Sequence, residues 1–457
     1  MRVHAMSGPF VRNLAAAGKA LLLVGILGFP RLLLAQGAPQ GTDGDYIVTF
    51  RSITSRADRA ASVQRAGAVL RFNYAIVDAV AVTIPNANAY VALQRNPSVL
   101  QIIPDRPVEA FHHRPGHDAG PGGGDGGGGG EPTEDIVPEG VKRVGVPTPS
   151  SNGQGIGVAI ADTGIDLAHA DLAVAPARFD AFGGDCQDGH SHGTHVAGIV
   201  AALQNTIDVR GVAPLATPYC VKVLNNNGSG SDATVMAGLD WVAATNGIGE
   251  DCATPAGYAP VIRVVNMSLG REGSLDDNPA LRAAAQCLYN NGVVIAVAAG
   301  NDPYKEVKNM VPATYPEVLA VASTTAVDGS NACRFLSGPI QADTASYFTT
   351  DGKLNNLIGV TISGPGEDME SVNRGCMIQS VGILSLKLGG GTTRMSGTSM
   401  ASPHVAGVVA RLLQAGYSAG NIRATLRSTA SNTNAPLDSP SGAYSFDQER
   451  EGIAKAP

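Results

Sequence analysis

The sequence has few charged residues and no basic stripe. Only 16% of its 457 residues are Asp, Glu, Lys or Arg, and the formal net charge is −7. Because binding to nucleic-acid phosphates needs clustered positive charge, this composition argues against a nucleic-acid-binding protein. The hydrophobic content of 44% instead indicates a chain that is mostly globular. At this length it can hold a sizeable core and an accessory unit.

A long uncharged apolar segment is also missing. The apolar run of residues 20–29 follows four basic side chains and is interrupted by Arg31. It is short for a membrane span and is typical of a signal peptide, here residues 1–37. A membrane anchor is the alternative, and no cysteine ends the segment as a lipoprotein would require. We therefore expect a secreted, extracellular protein with no stable membrane association.

Cysteine is absent from the first 185 residues, and the six that follow are even in number. In an exported protein this indicates disulfides, with fifteen possible connectivities for six cysteines. We expect the pairs Cys252–Cys287 and Cys186–Cys220, with free buried thiols as the alternative. Cys333 and Cys376 are the remaining two cysteines.

Composition divides the remaining chain into two folded units. Residues 46–104 show alternating strand and helix patterns in the order β-α-β-β-α-β, which predicts a small ferredoxin-like α+β unit within residues 38–113. A glycine-rich stretch over residues 114–135 cannot form a packed core and is predicted to be a linker. Residues 136–457 form the second unit.

The second unit alternates short apolar runs with helical patterns. Such continuous apolar strands, separated by helices, predict an α/β fold with a mostly parallel central sheet covered on both faces. In sheets of this kind, functional residues gather beyond the carboxyl ends of the strands. The predicted strands are residues 158–161, 219–224, 261–268, 293–298 and 318–322, and the predicted helices are residues 195–203, 232–244 and 278–291.

Three polar residues lie where this rule expects a site. Asp162 ends a strand, His192 begins a helix, and Ser399 lies in a run of small residues that leads into Pro403. Pro403 is expected in the first helical turn, so that Ser399 lies at a helix N-terminus, which favours negative charge. A serine nucleophile needs a base, and the base needs an orienting carboxylate. Asp, His, Ser is a known order for such a triad.

Two other hydrolytic chemistries lack their motifs. No helical H-E-x-x-H pattern surrounds His190, His192 and His195, which argues against a zinc site. No G-x-S-x-G stretch is present, and the order Ser, Asp, His of the α/β-hydrolases is also missing.

Three motifs in this order resemble the signatures of the subtilisin-like serine proteases. They are Asp-Thr-Gly at 162–164, His-Gly-Thr-His at 192–195, and Gly-Thr-Ser-Met-Ala-Ser-Pro at 397–403. The resemblance covers about residues 140–435. It implies the three-layer subtilisin-like fold and a serine endopeptidase that cleaves proteins through an acyl-enzyme. Ser399 would be the nucleophile, His192 the base and then the acid, and Asp162 the orienting carboxylate.

The resemblance also implies the substrate contacts. Asn301 would donate to the oxyanion beside the Ser399 N–H. An extended peptide would pair with two chain segments, and the first pocket would be small and apolar, with Asp302 at its rim. The expected substrate-binding residues are Gly228, Ser229, Gly230, Ser268, Leu269, Gly270, Ala298 and Gly300.

Three further expectations follow from the resemblance. A structural calcium ion would be held by Asp171, Leu203, Asn205, Ile207 and Val209, with no organic cofactor. The first unit would be a propeptide that inhibits its own enzyme, with residues 105–113 in the cleft and cleavage after Phe111. The active protein would be a monomer. The alternatives are a secreted pseudo-protease that binds peptides without cleaving them, and a membrane-anchored maturation protease.

Overall fold

The computed structural model describes residues 42–111, 135–146, 150–431 and 451–457. The predicted signal peptide and nearly all of the predicted linker lie outside these residues. Residues Gln40–Pro457 form one compact unit. Within the described part of the chain, no helix has both the length and the apolar character needed to cross a membrane.

The N-terminal part of this unit is a four-stranded antiparallel sheet with two helices. Its strands lie in the order β2-β3-β1-β4, and the element order matches the β-α-β-β-α-β pattern of the sequence. One apolar cluster, including Val48, Val80 and Leu93, fills the space between sheet and helices. Its elements are β1 (Gly44–Phe50), α1 (Arg56–Ala66), β2 (Val69–Asn73), β3 (Ala79–Ile84), α2 (Ala87–Gln94) and β4 (Val99–Pro104).

A short strand, β5 (Pro107–Ala110), follows this part, and the remaining elements belong to the larger part of the unit. Its helices are α3 (Glu139–Arg143), α4 (His192–Ala201), α5 (Asp232–Thr245), α6 (Pro279–Asn290), α7 (Thr398–Gln414) and α8 (Ile422–Thr429). Its strands are β6 (Gly157–Asp162), β7 (Phe179–Asp180), β8 (Thr217–Lys222), β9 (Ser229–Ser231), β10 (Ile262–Met267), β11 (Leu269–Glu272), β12 (Val294–Ala298), β13 (Met310–Val311), β14 (Leu319–Thr325), β15 (Ile362–Glu367), β16 (Met369–Val372), β17 (Ile378–Val381), β18 (Ile383–Leu386) and β19 (Thr392–Met395).

The central sheet confirms the predicted α/β fold. Seven strands lie in the order β15-β14-β12-β10-β6-β8-β7, and every neighbouring pair is parallel. The inner strands β6 and β12 are almost wholly apolar and fully buried because both faces of the sheet are covered. Two large apolar clusters flank the sheet, one containing α5 and α6 and the other α4 and α7. Because the strands are parallel, the carboxyl ends of β6 and β12 lie at the same edge of the sheet. Asp162 is the last residue of β6, and Asn301 follows β12 at this edge.

The structure contains three disulfides. The predicted pairs Cys186–Cys220 and Cys252–Cys287 are confirmed, and Cys333 joins Cys376. The last bond joins the segment after β14 to the turn between β16 and β17. Hairpins β16–β17 and β18–β19 extend the fold beyond the predicted strands. All six cysteines are therefore paired.

Helix α7 begins earlier than the sequence pattern indicated. It starts at Thr398, so Pro403 lies inside the helix rather than in its first turn, and the expectation for Pro403 was wrong. The sequence rule failed because a proline inside a helix is tolerated where another donor replaces its missing N–H. That donor is found at the candidate site.

Candidate active site

Asp162 and His192 form a buried hydrogen-bonded pair. The carboxylate oxygen Oδ1 of Asp162 lies 2.7 Å from Nδ1 of His192, and both side chains are fully buried. The same oxygen accepts the N–H of Thr163 at 2.7 Å. Because a carboxylate can only accept here, His192 Nδ1 carries a proton and Nε2 is the acceptor in the neutral ring. The pair thus has the tautomer that a general base needs.

Asp188 fixes the loop that precedes His192. Its carboxylate accepts the N–H groups of His190 at 2.8 Å, Ser191 at 3.1 Å and Thr194 at 3.0 Å, and the Thr194 hydroxyl at 2.6 Å. Ser191 has a φ of 83°, a left-handed conformation that this set of bonds stabilises. Asp188 therefore places the first turn of α4 and its histidine. No local sequence pattern assigned this role to Asp188.

Ser399 lies in the first turn of α7, next to the carbonyl of Ser268. Its hydroxyl donates to that carbonyl at 2.9 Å, and the Ser268 hydroxyl donates back to the Ser399 carbonyl at 2.8 Å. In a regular helix, the N–H of residue 403 would bond to the Ser399 carbonyl, but Pro403 has no N–H. The Ser399 carbonyl therefore lacks its helical partner and accepts the Ser268 hydroxyl instead. The two hydrogen bonds between Ser268 and Ser399 fix the candidate nucleophile beside the cleft.

The Asn301 amide is oriented by Thr398. Its oxygen Oδ1 accepts the Thr398 N–H at 2.9 Å and the Thr398 hydroxyl at 2.8 Å. Because both partners can donate, the nitrogen Nδ2 must face the other way, into the cleft. There it donates to the carbonyl of Phe111 at 3.0 Å. Asn301 therefore presents a donor to a peptide carbonyl, and Thr398 is a positioning residue that the sequence analysis did not single out.

Strand β5 occupies the cleft beside these residues. It pairs in antiparallel fashion with β9 on one side and with β11 on the other. The N–H of Ala110 donates to the Gly228 carbonyl at 3.0 Å, and the N–H of Phe111 to the Ser268 carbonyl at 3.3 Å. The expected substrate-binding residues Gly228, Ser229, Gly230, Ser268, Leu269 and Gly270 thus flank one extended segment.

The pocket around Phe111 only partly follows the expectation. A Cβ added to Gly270 would lie 2.7 Å from the Phe111 ring, so Gly270 forms a wall of the pocket. Gly300 instead backs onto Thr350 and Met310, and its φ of 122° suits only glycine. Ala298 is fully buried in β12. The lining also includes Met310, Asn301, Asp302 and Lys305, and Lys305 pairs with Asp302 at 3.2 Å.

His195, which shares helix α4 with His192, is a core residue. His195 is buried in α4, and its Nε2 lies 3.0 Å from the Ile383 carbonyl. Burial lowers the pKa of His195 to about 3, so this ring is a neutral core residue. Among the described residues, no group of three or more His, Cys, Asp or Glu side chains is arranged to hold a metal ion.

The expected calcium residues gather around Asp171. Its carbonyl accepts the Leu203 N–H at 3.1 Å, and its Oδ2 accepts the Val209 N–H at 3.3 Å. The Asn205 Oδ1 accepts the Ile207 N–H at 3.0 Å. The Oδ1 of Asp171 is buried without a hydrogen-bond partner, and burial raises the pKa of this carboxyl group to about 7. An orphaned, buried carboxylate oxygen in an oxygen-rich loop fits a hard cation such as calcium.

Asp135 completes the surroundings of this loop. It accepts the Asn205 N–H at 3.0 Å and the Thr206 N–H, and it pairs with Arg210 at 2.9 Å. The sequence could not place Asp135, the last residue of the predicted linker, here, because a contact between distant segments has no local pattern.

Comparison with known proteins agrees with this geometry. A family model described as the subtilase family matches residues 153–445. Subtilisin J of Geobacillus stearothermophilus is 30% identical over 428 residues, which cover 90% of this chain and 91% of the relative. Subtilisin DY of Bacillus licheniformis is 35% identical over 285 residues, or 61% of this chain and 85% of the relative. Subtilisin Savinase of Lederbergia lenta is 34% identical over 307 residues, or 66% of this chain and 93% of the relative.

Proposed function

Since this chain belongs to the subtilase family and is a serine endopeptidase, we propose that it acts through a triad of Asp162, His192 and Ser399 as a self-processed precursor. One observation carries the proposal. The Phe111 carbonyl receives the Asn301 amide at 3.0 Å while β5 pairs with the cleft on both sides. The Phe111 carbonyl is thus held as a substrate carbonyl would be, beside the first turn of α7, which carries Ser399.

The proposed reaction follows from the contacts of these side chains. The Ser399 hydroxyl exchanges its bond to Ser268 for one to His192 Nε2 and attacks the substrate carbonyl carbon. His192 accepts the hydroxyl proton, and Asp162 stabilises the imidazolium through Nδ1. Asn301 donates to the oxyanion, which develops at the position that the Phe111 carbonyl oxygen now occupies.

Collapse of the tetrahedral intermediate breaks the C–N bond. His192 returns its proton to the departing amine and leaves an ester on Ser399. Water then attacks the ester carbonyl, with His192 as base, and Ser399 regains its proton as the acid product leaves. The two half-reactions together hydrolyse one peptide bond and restore the enzyme.

Residues 38–113 are proposed to be a propeptide that inhibits the enzyme after cleavage at Phe111. The support is the fixed register of residues 107–110 in the cleft. Beyond the cleft, the Tyr74 hydroxyl donates to the Ala233 carbonyl at 3.0 Å and Asp240 accepts the Ala75 N–H at 2.8 Å. These contacts hold the first unit against α5 independently of the scissile bond.

A calcium ion is proposed to bind at Asp171 and Asn205 together with the carbonyls of Leu203, Ile207 and Val209. When bound, it would neutralise the buried Asp171 carboxylate and join the loop to the body of the protein. The enzyme is further proposed to be a secreted monomer. The three disulfides support secretion, because such bonds persist in oxidising compartments.

The test compares the full-length chain with Ser399→Ala and with Ser418→Ala, a control at an exposed serine. The wild type and the control should yield a mature N-terminus at His112 by mass spectrometry and react with a serine-directed phosphonate. Ser399→Ala should remain a precursor and stay unlabelled.

Two outcomes would contradict the proposal. Absence of both processing and labelling in the wild type would favour the alternative of a pseudo-protease that only binds peptides. A mature N-terminus before Asp105 would contradict the cleavage site. Fractionation of cells against culture medium tests the membrane-anchored alternative, which places the mature enzyme with the membranes.

A further inference from the structure

The segment before β5 makes a charged contact outside the pocket for Phe111. Arg106 Nη1 lies 3.0 Å from Asp277 Oδ2. The Arg106 carbonyl also accepts the Asp232 N–H at 2.9 Å, so its backbone continues the register of β5. If Phe111 precedes the cleaved bond, Arg106 is the sixth residue before that bond.

Asp277 is held in place by the enzyme itself. Its carboxylate accepts two bonds from the Arg271 guanidinium at 2.9 and 3.0 Å and one from the Ser274 N–H at 3.3 Å. Arg271 also binds Asp232 at 2.6 and 2.8 Å. Although burial opposes it, the hydrogen bond and charge of Arg271 lower the pKa of Asp277. The carboxylate is therefore ionised at neutral pH and its position is fixed before any substrate arrives.

The charges around Asp277 balance only while Arg106 is present. Arg271 neutralises one of the two carboxylates, Asp232 and Asp277, and Arg106 supplies the second positive charge. Departure of Arg106 with the cleaved segment leaves one excess negative charge. The Asp277 side chain is 11% exposed, so it stays accessible to a cation while being partly shielded from water.

We infer that Asp277 forms an extended substrate subsite that selects a basic side chain, Arg or Lys, at the sixth residue before the cleaved bond. This inference rests on the proposed proteolytic function and names the substrate class of that site. Arg106 in the precursor fills the subsite and so also sets the register of the tail. The contribution of the Arg106–Asp277 ion pair to binding is modest, because the Arg106 side chain is 47% exposed.

The experiment uses quenched fluorescent peptides with the sequence of residues 105–114, in which the position of Arg106 is Arg, Gln or Glu. The mature wild-type enzyme should cleave the Arg peptide about three- to fivefold faster, in kcat/KM, than the Gln peptide. It should cleave the Glu peptide on the order of tenfold more slowly than the Arg peptide, because like charges repel. The preference should shrink at high salt, which screens a partly exposed pair.

Asp277→Asn should lose the discrimination among the three peptides. Asp276→Asn is the matched control, since it makes the same charge change at an exposed neighbouring residue. It should keep the wild-type ratios. If Asp277→Asn does not fold, the kcat/KM ratios of the wild-type enzyme for the three peptides, and their dependence on salt, still test whether a basic side chain is preferred at this position.

The failures of the two proposals differ. Equal cleavage of all three peptides by the wild-type enzyme overturns the subsite and leaves the protease standing. Equal ratios in wild type and Asp277→Asn overturn the assignment to Asp277. Absence of cleavage of every peptide, with no phosphonate labelling of Ser399, overturns the proposed function and the subsite with it.

Discussion

At the residue scale, the candidate site depends on hydrogen bonds that fix the orientation of its polar groups. Thr398 occupies the oxygen of Asn301, so the nitrogen must face the cleft. Pro403 lacks the N–H that would otherwise occupy the Ser399 carbonyl, so the Ser268 hydroxyl binds there instead. Each contact orients a neighbouring group rather than reacting itself. Such preorganisation lets donors meet developing charge without reorganising during the reaction.

The Asn301 amide should act mainly in the transition state. Asn301→Leu should lower kcat by about 10²- to 10³-fold with little change in KM, because the lost donor serves the oxyanion. Thr398→Val keeps the shape of the side chain but removes the hydroxyl. It should lower kcat by about tenfold, the value of one hydrogen bond that orients the amide. Steady-state kinetics on a small peptide substrate provides the measurement.

Asn301→Leu also separates catalysis from folding. It should shift the thermal unfolding of an inhibited enzyme by no more than a few degrees, since Asn301 is only partly buried. A rise in KM without a fall in kcat for Asn301→Leu would show uniform substrate binding instead of oxyanion stabilisation.

At the element scale, the sequence predicted the strands and helices, which have local residue patterns. It did not predict the side-chain contacts between segments that are distant in the chain. The parallel strands were predictable because continuous apolar runs separated by helices have few other solutions. Asp162 and His192 were predictable because they end a strand and begin a helix. Pro403 was misplaced, because its tolerance inside α7 depends on Ser268, far away in sequence. Asp135 could not be placed for the same reason.

The disulfide Cys186–Cys220 supports the loop that carries Asp188. The Cys186 carbonyl accepts the Ile165 N–H at 3.2 Å, close to Asp162. Replacing both cysteines by alanine should lower the free energy of unfolding by about 3–4 kcal/mol, from the lost chain constraint. It should also lower kcat severalfold, because Asp188 and the first turn of α4 lose their support.

The matched control is the Cys333→Ala, Cys376→Ala double variant. Its loop is of similar length, with a separation of 43 residues against 34, so the loss of stability should be similar. No contact in the described structure joins this disulfide to Asp188, and kcat should therefore stay unchanged. Thermal unfolding in a Ser399→Ala background and kinetics on active-site-titrated enzyme measure the two effects. Equal kcat values in the two double variants would contradict the role assigned to Cys186–Cys220.

The loop of residues 203–209 should respond to calcium. Removal of calcium by a chelator should lower the melting temperature of the Ser399→Ala protein by several degrees. A ligand that binds only the folded state stabilises it by RT ln(1 + [L]/Kd), where [L] is the calcium concentration, and this stabilisation is then lost. Re-addition of calcium should restore it, and magnesium should not, since it demands smaller octahedral geometry. Asp171→Asn should abolish the response. A calcium-dependent shift that survives in Asp171→Asn would place the ion elsewhere.

At the scale of the whole molecule, buried acids make stability depend on pH. Glu367 is fully buried, and its Oε2 accepts the Ser380 hydroxyl at 2.6 Å. Ser380 in turn contacts Ser396. Burial and the adjacent Glu370 raise the pKa of Glu367 well above its ordinary value. The folded state therefore holds a proton that the unfolded state releases above about pH 4.3.

Stability linked to Glu367 is present below the pKa of the unfolded chain and is lost as pH rises toward the folded pKa. Glu367→Gln is neutral at every pH and keeps the acceptor for Ser380. Relative to the wild type, it should gain up to about 1.4 kcal/mol per pH unit above pH 5. Denaturant unfolding at pH 4, 6 and 8 in a Ser399→Ala background provides the measurement. A pH-independent difference in stability between Glu367→Gln and the wild type would contradict the role assigned to Glu367.

The first folded unit should inhibit the enzyme partly through Asp240, outside the cleft. One oxygen of Asp240 accepts the N–H groups of Ala75 at 2.8 Å and Ile76 at 2.9 Å. Asp240→Ala removes both bonds and leaves two backbone donors without a partner. The affinity of the cleaved unit for the enzyme should fall by at least about a hundredfold, because the two lost hydrogen bonds to a charged group are each worth about 1.5–3 kcal/mol.

The time between self-cleavage and full activity should therefore shorten in Asp240→Ala. Asp240→Asn keeps an acceptor oxygen without the charge and should show an intermediate delay. Cleavage after Phe111 should proceed in all three proteins, because β5 and its partners β9 and β11 are unchanged. Gel analysis follows cleavage, and a small peptide substrate reports activity in the same samples. An unchanged delay in Asp240→Ala would mean that the tail in the cleft alone accounts for inhibition and that the contacts with α5 serve only folding.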